Sequence, residues 1–104
     1  MYCIVEVTTS GVEESKKIGK KVVEERLAAC ANIITNITSF YWWKGKLEED
    51  AESILLLKTK KENADRLIQR VKELHSYENP AIITIPIEKG SKIYLDWIGE
   101  ETRG

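Results

Sequence analysis

One stretch limits this chain more than any other. SFYWWKGKLEED sets Phe40, Tyr41, Trp42 and Trp43 directly before a Lys44-Gly45-Lys46 turn, and these four rings are half of the eight aromatics present. From Ala31 the sequence alternates with a period of two. Strict alternation puts Ile33, Ile37, Tyr41 and Trp43 on one face and Ile34, Phe40 and Trp42 on the other. Leu47 to Thr59 reads as the returning strand, apolar on both faces at SILLLKT. A strand from Ala31 to Trp43, at ~3.3 Å per residue, makes an arm of roughly 43 Å. A compact chain of this size is only about 35 Å across, so the aromatic tip should overhang its own core.

Successive rings on a strand point to opposite faces, so one layer of helices cannot cover all four. Burying them is worth on the order of 15–25 kcal/mol before entropy, comparable to the net stability of a whole domain. The expected cover is another copy of the chain. Phe40, Tyr41, Trp42 and Trp43 are therefore the expected interface of a homo-oligomer.

The flanking segments supply the rest of the core. YCIVEVT reads as a first strand. Ser10 and Glu13 have capping-box spacing, and Ile18, Val22, Val23 and Leu27 give the helix after them an apolar stripe. Gly19 lies inside that stripe, where it suits close helix–sheet packing at a cost of about 1 kcal/mol relative to Ala. Thr59 and Glu62 repeat the capping-box spacing before a second stripe, Ala64, Leu67, Ile68, Val71 and Leu74. AIITIPI is a fourth strand, which Pro86 marks as an edge, and YLDWI predicts a short docking helix. The order strand–helix–strand–strand–helix–strand predicts an α+β, ferredoxin-like βαββαβ sandwich with both main helices on one face, a protruding hairpin and a short C-terminal helix. It is one domain, 1–104, with no linker or repeat.

Composition narrows the function classes. Net charge is −1 and pI about 5.9, so no global field recruits nucleic acid or an anionic membrane. No apolar run approaches the ~18 residues of a membrane span, and the expected compartment is the cytoplasm. An RNA-recognition module shares this topology, but CIVEV offers no ring for base stacking. An acylphosphatase-like hydrolase would need an anion-holding Arg in the first strand–helix loop, and TTSGVEES has none. The expected protein is not an enzyme.

ERLAACANI, TSFYWWKGKLEED, LLLKT, VKELHSYENPAI and YLDWI together resemble the CutA family of divalent-cation tolerance proteins. The resemblance runs over nearly the whole chain. It implies a cytoplasmic homotrimer linked to the response to copper and other divalent ions, with small-ligand clefts between subunits. It implies no required cofactor, with a divalent metal such as copper as the candidate. Its partners would be itself and metal ions, with no nucleic acid or membrane. A copper site discussed for some members uses a Cys on the first strand and a His-His pair; here those positions read Val7 and Leu74, leaving His75 alone.

His75 is the only histidine; it is a candidate metal ligand with Glu78, or a complement to the carboxyl end of the second helix. Cys30, at a position the resemblance marks, is a soft-metal ligand or a small buried hydrophobe. Glu48, Glu49 and Asp50 alternate faces and cannot all converge on one ion; they form a solvated face or pair with Lys44 and Lys46 of another copy. Lys58 is a charge within an apolar strand; the resemblance places it near an inter-subunit cleft with Tyr77, Glu78, Glu48 and the aromatic tip, where it either holds an anionic ligand or pairs with Glu78 or Glu48. Two readings stand: a trimeric protein that binds metal ions, and a trimeric sensor or scaffold that binds an anionic ligand or a partner in its clefts.

Overall fold

β1 (Tyr2–Thr9) alternates half-buried and buried residues without a break, so its odd positions Cys3, Val5 and Val7 face the core and its even positions face away. In the computed structural model, which describes residues 1–102, the chain continues through α1 (Val12–Glu24), β2 (Cys30–Trp43), β3 (Lys46–Lys60), a single 3₁₀ turn at Lys61–Asn63, α2 (Ala64–Leu74), β4 (Ile82–Ile87) and α3 (Lys92–Glu101). Residues 103–104 of the expected domain lie outside the described residues. The four strands form one antiparallel sheet in the order β2-β3-β1-β4. Pro86 sits on the edge strand β4, where its missing N–H breaks no second ladder.

α1 and α2 cover one face. Ile18 and Val22 from α1, with Leu67 and Val71 from α2, bury against Val5, Val7, Leu55 and Leu57. Gly19 lets the helix settle there: an added Cβ would lie 3.0 Å from Leu55 Cδ1 and 3.1 Å from Ala31 Cβ. Leu27 falls beyond α1 but is buried all the same, because the chain turns back at Arg26 in the left-handed region (φ 64°).

Both expected capping boxes are replaced. Ser10 gives its N–H and hydroxyl to Glu14 rather than to Glu13, and Gly11 occupies the cap position of α1. Thr59 is a fully buried strand residue whose hydroxyl donates to Leu27 O, so it is not free to cap α2.

α3 crosses the opposite face. Tyr2, Cys30 and Lys58 all stand at positions pointing away from α1 and α2. The Tyr94 hydroxyl lies 3.6 Å from Cys30 Sγ, Lys58 Nζ is 5.4 Å from the Tyr94 ring, and Gly99 meets the Tyr2 hydroxyl. Beyond α3 this face leaves Ile34, Ile83 and Ile85 exposed.

The alternation expected along β2 breaks once. Ile34 pairs with Ile54 but Ile37 pairs with Glu52, so β2 carries one extra residue, with Asn36 at φ 59°. The bulge exchanges the faces. Ile33 points to the helices, whereas Ile37, Tyr41 and Trp43 point to the α3 side; Ile34 is on the α3 side, whereas Phe40 and Trp42 are on the helix side.

Candidate functional site

β1 ends opposite Ser53, so the seven pairs from Ile37–Glu52 to Trp43–Lys46 form a two-stranded arm with no third strand beside it among the described residues. The molecule is 44 Å along its longest axis, as the length of the hairpin requires. Lys44 (φ 49°) and Gly45 (φ 81°) close the tip in the doubly left-handed turn that matches strand twist. On the helix side of the arm Phe40 is 66% exposed and Trp42 73%, with Leu47 bare beside them.

The other side of the arm is partly covered by the loop between α2 and β4, and a set of hydrogen bonds fixes that loop. Glu14, one turn into α1, accepts from Ser10 and, at 2.7 Å, from the Ser76 N–H. Burial works to raise its pKa, but the hydrogen bonds from Ser10 and Ser76 outweigh it and hold the carboxyl at about 2. The His75 side chain is fully buried. Its Nε2 lies 2.7 Å from Thr8 O and its Nδ1 accepts the Tyr77 N–H at 3.0 Å, which is the bonding pattern of the neutral Nε2–H ring. Tyr77 then reaches across to β3 and donates to Glu52 Oε2 at 2.6 Å.

Between arm and loop lies a cavity of about 630 Å³, lined by Tyr41, Trp42, Trp43, Glu52, Tyr77 and Glu78 among others. Glu52 was not picked out from the sequence, because the acidic run draws attention to Glu48–Asp50. The signal was its spacing: Glu48, Asp50 and Glu52 alternate onto one face of β3. Asp50 accepts a hydrogen bond from Tyr41. That bond holds the Tyr41 hydroxyl up at about 12; burial and then Glu52 push Tyr77 higher still.

Of the expected site residues, Tyr77, Glu78, Tyr41, Trp42 and Trp43 line one cavity, while Phe40 does not. Lys58 does not join them: it is six residues along β3 from Glu52, about 20 Å away, set over Tyr94. It makes no ion pair with Glu78 or Glu48 among the described residues. Glu48 lies opposite Tyr41 on the arm. Cys30 is half-buried at the far end, beside Tyr94 rather than His75. His75 does cap α2, but through its backbone N–H to Val71 O, while both ring nitrogens are engaged elsewhere. Among the described residues no three His, Cys, Asp or Glu side chains converge as metal ligands within one chain, and no helix is long and apolar enough to cross a membrane.

The model of the CutA1 divalent ion tolerance protein family matches residues 3–101. The chain is 46% identical over 99 residues to the divalent-cation tolerance protein CutA of Thermus thermophilus, covering 95% of this chain and 96% of that one. The solved structure of the Thermus protein superposes with a TM-score of 0.95 at 45% identity, over 99% of this chain and 100% of that chain. A protein of Archaeoglobus fulgidus with the same description is 43% identical over 96% of this chain and 97% of its own length, and its structure is described as periplasmic. The chloroplastic CutA 1 of rice is 41% identical over 96% of this chain, which spans only 56% of that longer protein. A sheet with helices on both faces, a bare aromatic arm and this degree of identity lead to one conclusion: the chain belongs to the CutA1 divalent ion tolerance family.

Proposed function

We propose that the chain is a non-catalytic divalent-cation tolerance protein that works as a homotrimer of ferredoxin-like subunits and takes ions such as copper at sites completed between copies. The observation that carries this reading is the arm: seven strand pairs without a third strand, bearing Phe40, Trp42 and Leu47 bare on one side. Single chains rarely leave such a patch in water. β2 is an edge strand, and adding a neighbour to it around a closed threefold ring removes the edge and buries the rings together. Ile34, Ile83 and Ile85 on the α3 side of the sheet offer a second apolar contact. Because donors do not converge within one chain, a metal site requires ligands from more than one copy, with Cys30 and Glu78 the accessible candidates. Two unpaired cysteines suit the cytoplasm as the working compartment.

Light scattering at micromolar concentration tests the assembly, with a mass about three times that of the 11.9 kDa chain expected; a folded monomer ends the proposal. Phe40→Asp should yield folded monomer. Calorimetric titration with Cu²⁺ should then give heat for the wild type and none for the monomeric variant. The anionic-ligand reading has less behind it, since Lys58 is remote from the cavity and the cavity presents carboxylates.

A further inference from the structure

We propose that the buried hydroxyls of Thr9, Ser15 and Ser53 are positioning residues for self-association: they lock the bulge of β2 at Thr35 and Asn36, and so decide which rings of the arm face which way. The inference rests on the arm being the surface through which copies meet, as proposed above. Two registers collide in the hairpin. Toward the core Ile33 pairs with Leu55 and Ile34 with Ile54, whereas the pairs from Ile37–Glu52 to Trp43–Lys46 are displaced by one residue. The sheet and helices hold the first register, because Leu55 is fully buried and also pairs with Val7. The turn holds the second, because a two-residue loop of Lys44 (φ 49°) and Gly45 (φ 81°) sets Trp43 opposite Lys46. One extra residue must be absorbed between Ile34 and the tip, and neither end dictates where.

Ser53 dictates it. It is the single β3 residue opposite Thr35 and Asn36, and also the last one paired with β1, opposite Thr9. The three-stranded sheet becomes the two-stranded arm at this residue. Its hydroxyl donates to Ile34 O at 3.0 Å, the carbonyl just before the bulge. Behind it Ser15 Oγ, brought in by α1, lies 3.0 Å from Ser53 Oγ and 2.6 Å from Thr9 Oγ1. All three residues are fully or almost fully buried. Thr9 Oγ1 also lies 3.0 Å from Gly11 O, but that carbonyl already accepts the Ser15 N–H at 3.1 Å. Three protons serve these oxygens, and the order that fills every link toward the bulge runs Thr9 to Ser15 to Ser53 to Ile34 O. A bulge anywhere else would set Ser53 opposite an undistorted ladder, and the whole buried chain would have to find new partners. Each arm residue that the bulge passed would exchange faces. Phe40 would move to the α3 side and Tyr41 to the helix side, which breaks up the apolar patch.

The test reads register and assembly separately. Register is followed by cross-strand nuclear Overhauser contacts in the Phe40→Asp chain, where the oligomer does not enter; Ser39 should contact Asp50, its partner in the ladder. Adding Ser53→Ala or Ser15→Ala should bring up a second set of contacts, Ser39 to Glu49, in about a tenth of the molecules or more. The amides of Val5, Val7 and Leu55 should keep their protection from hydrogen exchange. In the otherwise wild-type chain, Ser15→Ala should raise the concentration for half-assembly about tenfold by light scattering. Ser15→Ala alters no strand residue and suits a helix, so it decides the matter if Ser53→Ala does not fold. A single set of contacts in Ser15→Ala, or two sets with assembly unchanged, overturns the proposal. A monomeric wild type is the failure of the arm reading itself, told apart because the Phe40→Asp chain still shows whether the hydroxyls set the register.

Discussion

Glu14 helps to shape the site without lining it. Its two oxygens join the start of α1 to Ser76, and the loop so held carries His75 and Tyr77. Its folded pKa, about 2, lies below the unfolded value of about 4.5. The stabilisation is therefore complete above pH ~4.5 and is lost as pH falls toward 2. Glu14→Gln should cost about 2 kcal/mol at neutral pH and flatten the stability–pH curve between pH 4.5 and 2, as urea titrations across that range would show. Gly45 is a simpler case. Its φ of 81° is one that L side chains resist, while the space around it is open. Gly45→Ala should cost about 1 kcal/mol in urea denaturation through backbone strain alone.

α1 and the hairpin follow different rules. For α1 the apolar stripe at Ile18 and Val22 and the glycine between them were legible in the sequence, because a 3.6-residue period depends only on the chain itself. Gly19→Ala sets a helix-propensity gain of about 1 kcal/mol against overpacking at Leu55 and Ala31. Ala31 Cβ has no rotamer to change and Leu55 is fully buried, so the variant should be less stable by about 1 kcal/mol in thermal denaturation. In the hairpin, length, turn and overhang were also legible, but the facing of the rings was not. One extra residue between Ile34 and Ile37 inverts every later side chain, and a bulge leaves no periodic trace in a run of Ile and Thr. The two capping boxes misled for a related reason: Ser10 and Thr59 have the right spacing, but tertiary partners at Ser76 and Leu27 decide which bonds form.

At the scale of the whole molecule, the arm and the bare sheet face predict a spectroscopic signature of assembly. Phe40→Asp should shift tryptophan emission to the red and raise its quenching by iodide, as Trp42 and Trp43 move from a dry contact into water; wild-type emission already red at micromolar concentration would contradict this. By itself the sequence determined the element order, the core residues, the length of the arm and the family, because periodicity, turn chemistry and shared motifs are properties of the chain read in order. Only the tertiary structure decided which donors meet. It set Lys58 and Cys30 about 20 Å along the sheet from Glu52, engaged both nitrogens of His75, and bonded the nearly buried Glu52 to Tyr77. Convergence of side chains from distant segments depends on strand register and loop path, and a single bulge or a single carboxylate clip is enough to redirect both.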